Sequence, residues 1–345
     1  MWGKSLKTIT LNSVVLSCLL FVCSLTTYSC TTFVIKDSVN LVFGRNLDWI
    51  SGKGIIVVNK RNVSKSAFDF MLENPTSWVS KYGSVTFNQF GKEFPFGGIN
   101  EMGLVVEIML APAEYPKKDK RSAVNELQWI QYQLDNCENI NEVIASDKSI
   151  RISKTEQDLH YLICDRLGNV AVIEFENGKM KVSKDEDLMF PVLENDSYSK
   201  SLENYKNEEE SRFLTTVNLI TSYNSLEIPI IDYSFSILHE VSLNAVWSIV
   251  YDIENMQIYL KTEKNKSIRI IDMKSFDFDC AFQSLVYNLN EKHVGKINSF
   301  FTQYSDNINK TVLEEGLKEN RIALSDSILN KLHSYNSDLV GCNNE

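Results

Sequence analysis

The chain has 345 residues, and its 43% hydrophobic and 11% aromatic residues are sufficient for a sizeable globular core. Its formal net charge of -10 argues against a nucleic-acid partner, because phosphate backbones are bound by clustered Lys and Arg, and the sequence has no basic stripe with interleaved aromatic residues. After the first 29 residues, no segment is apolar over the roughly 20 residues that a membrane-spanning helix requires, so no stable membrane anchor is expected.

The first 29 residues have the pattern of a secretory signal peptide. Two lysines give a positive start, an apolar stretch follows at 11–25, and TYS at 27–29 is a small-x-small cleavage site. The pattern predicts cleavage before Cys30 and a secreted or periplasmic protein. One alternative is a transmembrane anchor, although the apolar stretch is shorter than the roughly 20 residues needed to span a membrane. The other is a lipoprotein acylated on Cys30, although Thr and bulky Tyr stand where bacterial lipidation generally requires a Leu-like and a small residue.

Short β-branched runs separated by polar turns follow Cys30 and predict strands. These runs lie at 32–35, 41–43, 55–58, 84–87 and 103–110. Apolar residues then recur at three and four positions and predict helices at 124–134 and 140–145. Later segments predict a hairpin at 160–175, a helix at 213–220 and a second hairpin at 246–260. A polar tail with a helical pattern follows from about 291.

The order of strands, helices, strands, helices and strands is typical of an α+β layered domain rather than of alternating βαβ units. We therefore predict one domain over residues 30–345, preceded by the signal peptide 1–29. The polar helical segment from about 291 forms a C-terminal extension of this domain.

Cysteine usage points to a working thiol rather than to a metal site. No CxxC pair is present, so neither a zinc site nor a thioredoxin-like motif is expected. An odd number of cysteines follows the predicted cleavage site, which leaves at least one thiol unpaired within the monomer. These cysteines are Cys30, Cys137, Cys164, Cys280 and Cys342.

A cysteine nucleophile needs a base, and the four histidines of the chain lie in no recognisable catalytic context. A cysteine that becomes the first residue of the mature chain does not need a histidine, because its own α-amino group titrates near about pH 7.7 to 8 and can act as the base. We therefore predict that Cys30 is the nucleophile and that cleavage before it creates the base. A histidine-dependent cysteine protease is a competing interpretation, and it requires His160 or His239.

Several motifs occur in the order found in one known family. CTT at 30–32 and FGRNLDW at 43–49 are followed by GGINEMGLV at 97–105, VLEN at 192–195 and SRF at 211–213. With these motifs the chain resembles the choloylglycine hydrolase and penicillin V acylase family of N-terminal nucleophile hydrolases. The resemblance implies a four-layer αββα sandwich of two mainly antiparallel sheets and hydrolysis of a linear amide. It also implies no cofactor, no bound metal and a homo-oligomer, namely a tetramer.

The resemblance assigns a role to five residues. Cys30 would attack the amide carbonyl, with Arg45 favouring its thiolate and Asp48 orienting its α-amino group. Asn195 would donate its side-chain amide to the oxyanion, and Arg212 would add positive charge near the reacting centre. Three simpler interpretations stay open: Arg45 and Asp48 form a surface ion pair, Asn195 is a turn residue, and Arg212 is a solvated charge next to the acidic run 208–210.

Two positions depart from the family pattern. Glu194 replaces a Thr immediately before Asn195, and Leu110 stands where bile-salt hydrolases place an Asn and penicillin acylases a Tyr. A side-chain donor is therefore missing, or Glu107, a shifted neighbour or the backbone N–H of Thr31 takes its place. The substrate class stays a small-molecule linear amide with an apolar acyl group, such as a bile salt, a penicillin, an N-acyl homoserine lactone or another N-acyl amine. A non-catalytic lipoprotein or ligand-binding protein with the same fold is the alternative function.

Overall fold

The computed structural model describes residues 30–69, 72–155, 157–337 and 342. The predicted signal peptide, 1–29, lies outside the described residues. The strands are β1 Thr31–Lys36, β2 Leu41–Asp48, β3 Ile55–Asn59, β4 Ser64–Ser66, β5 Ser77–Val79, β6 Ser84–Asn88, β7 Pro95–Asn100, β8 Val105–Leu110, β9 Ser122–Val124, β10 Ile150–Ile152, β11 Leu159–Cys164, β12 Val170–Glu176, β13 Lys179–Lys184, β14 Val192–Leu193, β15 Ala245–Asp252, β16 Gln257–Thr262, β17 Asn265–Asp272, β18 Leu285–Asn288, β19 Gly295–Lys296 and β20 Thr302–Gln303. The helices are α1 Glu126–Asn136, α2 Ile140–Ser146, α3 Tyr198–Lys206, α4 Arg212–Thr221, α5 Ile230–Glu240, α6 Asp306–Glu319 and α7 Asp326–Ser337.

Two large sheets organise these elements. Sheet A has seven strands in the order β14-β1-β2-β15-β16-β17-β19, and only its β17–β19 pair is parallel. Sheet B has nine strands in the order β13-β12-β11-β8-β7-β6-β3-β18-β20, and all of its neighbours are antiparallel. The predicted α+β class with two mainly antiparallel sheets is confirmed.

Alternation along β3 shows how sheet B separates two apolar layers. Ile56 and Val58 join the main core between the sheets, whereas Ile55 and Val57 belong to a separate cluster with Val312 of α6. Such a period of two is expected when both faces of a strand are covered. Helices α4 and α5 pack on β1, β2 and β15, and α1 packs on β7 and β8. Helices therefore lie outside both sheets, which gives the predicted αββα order.

Several elements escaped the sequence patterns. Helix α3 extends into the polar run at 204–210, and its N-terminus is capped by Ser197. Only two of its residues are buried, so it has no apolar periodicity that the sequence could reveal. Strand β17 is only partly buried on one side, and Arg269 interrupts its apolar residues. The tail contains the short strands β19 and β20 before its two helices begin.

The described cysteines divide into one disulfide and three free thiols. Cys280 and Cys342 are bonded, with their Cα atoms 5.3 Å apart. Cys30, Cys137 and Cys164 are free and buried. In the described part of the chain, no helix is both long and apolar enough to span a membrane.

Candidate active site

Cys30 lies directly before β1, at the end of sheet A where β1 and β2 run side by side. Its side chain is 2% exposed, and the main chain pairs Thr31 with Asn46 of β2. Burial raises the pKa of the Cys30 thiol, while the charge of Arg45 and the backbone N–H of Asp48 act in the opposite direction. Arg212 also lowers this pKa, to a smaller extent. The thiol is thus a buried neutral group with two positive charges close to it.

Arg45 points from β2 into the space between the sheets. It is completely buried, and its Nε lies 2.7 Å from Oε2 of Glu107 on β8. The hydroxyl of Tyr251 donates to the other oxygen of Glu107. Burial raises the pKa of Glu107 to about 7, although Arg45 and the Tyr251 hydroxyl favour its charged form. Arg45 also has a buried Nη1 without a hydrogen-bond partner among the described residues.

A glycine makes this arrangement possible. Gly97 of β7 pairs with Glu107 across the sheet, and a Cβ at Gly97 would overlap the carboxylate of Glu107. Any side chain at this position would displace the carboxylate. Gly97, the first glycine of the GGINEMGLV segment, therefore leaves room for the Glu107 carboxylate that pairs with Arg45.

Asp48 ends β2 and holds the loop after α5. Its Oδ1 accepts hydrogen bonds from the backbone N–H groups of Leu243 at 2.9 Å and Asn244 at 2.6 Å. Its Oδ2 is buried and has no hydrogen-bond partner among the described residues. Burial raises the pKa of Asp48, opposed by the two N–H groups and by Arg212 and Arg45. One oxygen is thus fixed by the fold and the other is available near Cys30.

Asn195 and Arg212 form the other side of the cluster. Arg212 is the first residue of α4, and its Nη1 donates to the backbone oxygen of Cys30 at 2.6 Å and to Thr31 Oγ1 at 2.5 Å. Its Nη2 donates to Asn195 Oδ1 at 3.2 Å. Asn195 Nδ2 then donates to the backbone oxygen of Leu110 at 2.9 Å. The amide of Asn195 is therefore oriented by contacts at both of its ends.

The structure brings all five predicted site residues together and contradicts two of the simpler interpretations. Arg45 is paired with Glu107 in the interior, so it does not form a surface ion pair with Asp48. Arg212 contacts Cys30 and is not a solvated charge next to the acidic run. Asn195 does lie in a bend, between β14 and α3, but its side chain is engaged as well.

The histidines of the protease interpretation have other surroundings. His160 is buried, with Nε2 2.7 Å from the backbone oxygen of Glu194 and Nδ1 3.7 Å from Glu174. His239 is exposed in the last turn of α5. The charges that act on the Cys30 thiol come from Arg45, Asp48 and Arg212.

Sequence motifs gave no role to several residues of this cluster. Tyr251 looks like an ordinary strand residue, and Thr31 was considered only for its backbone N–H, not for the hydroxyl that accepts from Arg212. Glu107 carried a signal, since it is the single charged residue within the apolar run 103–110, and it was one of the alternatives for the missing donor. Its carboxylate is bound to Arg45 and Tyr251 rather than replacing the donor that is missing at Leu110.

One group of possible metal ligands occurs among the described residues, formed by Asp279, Cys280 and Cys342. The disulfide uses both thiols of this group, which leaves one carboxylate. The cluster around Cys30 offers a thiol, one side-chain amide and charged groups, and two of its buried atoms, Asp48 Oδ2 and Arg45 Nη1, have no hydrogen-bond partner among the described residues.

Comparisons with known proteins identify a family and two similar folds. The sequence profile of the linear amide C-N hydrolases, choloylglycine hydrolase family, matches residues 30–226, more than half of the chain. Penicillin V acylase from Agrobacterium tumefaciens has a similar structure, with a TM-score of 0.70 and 21% identity over 80% of this chain and 98% of that chain. A mutant of conjugated bile acid hydrolase from Clostridium perfringens has a TM-score of 0.61 and 18% identity over 80% of this chain and 96% of that chain. Comparison with curated protein sequences gives no significant match.

Proposed function

The chain belongs to the choloylglycine hydrolase family of linear amide C-N hydrolases, and we propose that it acts through the thiol of Cys30 as an exported enzyme. One observation carries the proposal. The buried Oδ2 of Asp48 has no hydrogen-bond partner among the described residues, while the backbone N–H of the same residue acts on the Cys30 thiol. A free α-amino group on Cys30 would satisfy this oxygen, because an unpaired buried carboxylate oxygen is costly.

The α-amine of Cys30 serves as the base in this mechanism. Its pKa near about 8 in peptides suits a group that takes the thiol proton at neutral pH. The sulfur attacks the amide carbonyl and forms a tetrahedral oxyanion, and the protonated amine then gives its proton to the leaving nitrogen. Water attacks the resulting thioester, releases the acid and restores the thiol.

Asn195 supplies the side-chain donor to the oxyanion. Its Oδ1 accepts from Arg212, so its NH₂ group faces the opposite direction, and one of the two hydrogens is used by Leu110. The second hydrogen is left for the oxyanion. Leu110, which lacks the side-chain donor found in the family, contributes its backbone oxygen and fixes the amide instead. A neutral donor that is held in place before the reaction is the kind that stabilises an oxyanion most effectively.

The proposed substrate is a linear amide with an apolar acyl group. Two similar structures are named as a penicillin V acylase and a conjugated bile acid hydrolase, and these names support a substrate of this kind for the present chain. A bile salt, a penicillin, an N-acyl homoserine lactone and another N-acyl amine are all retained as candidates.

Export is the second part of the proposal. The segment 1–29 has the composition of a signal peptide, and its removal would make Cys30 the first residue. The Cys280–Cys342 disulfide supports this, because disulfides form and persist mainly in oxidising compartments. Mass spectrometry of the exported protein tests it, with a free N-terminal Cys30 as the expected result. A diacylated Cys30, or cleavage elsewhere, contradicts it.

A hydrolysis panel tests the chemistry. Glycocholate, penicillin V and N-acyl homoserine lactones are incubated with the mature protein and with Cys30→Ala and Cys30→Ser. We expect at least one amide to be cleaved by the unchanged protein and by neither variant. His160→Gln and His239→Gln are the matched controls, and we expect both to keep activity. Equal hydrolysis by the unchanged protein and Cys30→Ala contradicts the proposal.

A further inference from the structure

Glu194 departs from the family pattern at a structurally sensitive place. It follows β14, which pairs with β1 through Leu193 and Thr32, so it lies one strand away from the start of the mature chain. The resemblance expects Thr here, and Thr carries no charge. Glu194 is nevertheless 5% exposed. A buried carboxylate is costly unless charged or hydrogen-bonding partners compensate it, so its contacts must account for its presence.

The carboxylate of Glu194 lies where α3 and α4 converge. Its Oε2 is 3.6 Å from Arg212 Nη2, and its Oε1 accepts from Ser201 Oγ of α3 at 3.4 Å. The backbone N–H of Phe213 also donates to it. Burial raises the pKa of Glu194, and among the opposing effects the charge of Arg212 is the largest. Arg212 is thus the main compensating charge for this carboxylate.

The same guanidinium connects Glu194 to the reacting groups. Arg212 Nη1 holds the backbone of Cys30 and the hydroxyl of Thr31, and Nη2 holds the amide oxygen of Asn195. The guanidinium is planar, so its donors move together. If Arg212 rotates, Cys30 and Asn195 lose their contacts with this guanidinium at the same time.

We propose that Glu194 is a positioning residue, whose carboxylate fixes the guanidinium of Arg212 and thereby aligns Cys30 with the amide of Asn195. The proposal rests on the proposed hydrolysis at Cys30 and adds a charge that the family pattern lacks. The carboxylate of Glu194 contacts Arg212, Ser201 and the backbone N–H of Phe213. Its effect therefore passes through Arg212, and a change at Glu194 alters the rate of the chemical step more than the binding of substrate.

Kinetics of Glu194→Gln and Glu194→Thr test this role. Gln keeps the size and the acceptor oxygen and removes the charge, and Thr restores the family residue. We expect kcat to fall about tenfold in each variant, the equivalent of one lost charge-assisted contact, with KM changed by less than about twofold. Asp196→Asn, which removes an exposed charge two residues further on, is the control and keeps its kcat. Unchanged kcat in Glu194→Gln overturns the proposal.

A double-mutant cycle shows whether the effect passes through Arg212. Glu194→Gln is made in the unchanged protein and in Arg212→Lys, and single-turnover rates are compared. If Glu194 acts through the guanidinium, it causes little further loss in the Arg212→Lys background. An equal loss in both backgrounds shows an independent, structural effect and overturns the proposal.

A crystal structure separates this proposal from the proposed function. If the unchanged protein cleaves no amide, the proposed function is contradicted, but the position of Arg212 in Glu194→Gln can still be observed. A guanidinium that has moved away from the Cys30 backbone oxygen supports the positioning role. A guanidinium that stays in place contradicts it.

Discussion

At the scale of single residues, the cluster around Cys30 contains more buried charge than its motifs indicate. Arg45 and Arg212 face three carboxylates, those of Asp48, Glu107 and Glu194. Burial raises the pKa of each of these acids. Their ionisation is therefore a direct source of pH dependence in both stability and activity.

Glu107 gives the clearest case for stability. Its pKa rises from 4.5 to about 7 on folding, so the folded state holds this proton more tightly than the unfolded state does. The corresponding stability is complete below pH 4.5 and is lost as the pH rises through about 7. In Glu107→Gln nothing ionises at this position. We expect the free energy of unfolding of the variant, relative to the unchanged protein, to rise by up to about 3 kcal/mol between pH 4.5 and 8.

Urea denaturation at several pH values measures this difference. Glu254→Gln, in the exposed turn between β15 and β16, is the control, and its difference from the unchanged protein should vary little with pH. A difference for Glu107→Gln that is constant from pH 4.5 to 8 contradicts the expected ionisation of a buried carboxyl.

Asp48 gives the clearest case for activity. In Asp48→Asn, Oδ1 can still accept from Leu243 and Asn244, so the loop after α5 stays in place. The other atom becomes an NH₂ group that donates instead of accepting, and it can no longer orient the α-amine of Cys30. We expect kcat to fall by about 10²- to 10⁴-fold, the usual contribution of a positioned acid or base.

The control for Asp48→Asn is a measurement of whether the variant is folded. Thermal unfolding should remain cooperative, and the melting temperature should stay close to that of the unchanged protein. Full hydrolysis by a folded Asp48→Asn protein would falsify the role of this carboxylate.

At the scale of elements, the sequence anticipates the buried strands and the amphipathic helices, and fails where burial is partial. Strands β1, β3 and β8 are almost continuously buried, so their apolar runs reveal them. Strand β17 is only partly buried and helix α3 buries two residues, so neither has a clear pattern. The positions of Asp48 and Arg212 follow from motifs, but the contacts of Glu107 with Arg45 and Tyr251 depend on three strands in two sheets. Local periodicity contains no information of this kind.

Helix α6 shows how tertiary contact overrides local propensity. Gly316 lies within α6, where Ala would favour an isolated helix by about 1 kcal/mol. A Cβ at this position would overlap the backbone oxygen of Gln89. A backbone group moves less easily than a side chain, so we expect Gly316→Ala to destabilise the protein by about 1 to 3 kcal/mol.

Chemical denaturation of Gly316→Ala and of Lys310→Ala tests this expectation. Lys310 is an exposed residue of the same helix, and its substitution should change the free energy of unfolding by less than about 0.5 kcal/mol. A more stable Gly316→Ala protein would show that α6 can move away from Gln89 without cost.

At the scale of the whole molecule, the C-terminal segment reaches back to the first part of the chain. The end of α6 contacts the loop that follows Asp48: Trp49 Nε1 donates to Asn320 Oδ1 at 2.5 Å, and Lys53 lies 3.1 Å from Glu319. The hydroxyl of Ser51 also donates to Glu319. The C-terminal extension thus supports the loop next to the candidate active site from the side of sheet B.

The Cys280–Cys342 disulfide links a residue beyond the end of α7 to the segment before β18. The bond joins residues 62 positions apart, and closing a loop of this length removes about 4 kcal/mol of chain entropy from the unfolded state. We expect Cys280→Ala/Cys342→Ala to lower the free energy of unfolding by about 2 to 5 kcal/mol. Hydrolysis should also decrease, because α6 then holds the loop of Trp49 and Ser51 less firmly.

Reduction provides the matched experiment. Dithiothreitol should lower the melting temperature of the unchanged protein toward that of the double variant and should leave the double variant unaffected. The free thiols Cys137 and Cys164 are buried, and burial raises the pKa of Cys137 to about 12, so neither reacts readily as a thiolate. An equal effect of the reductant on both proteins would mean that another thiol is responsible. A stable, fully active double variant would mean that packing of α6 on sheet B alone supports the loop after Asp48.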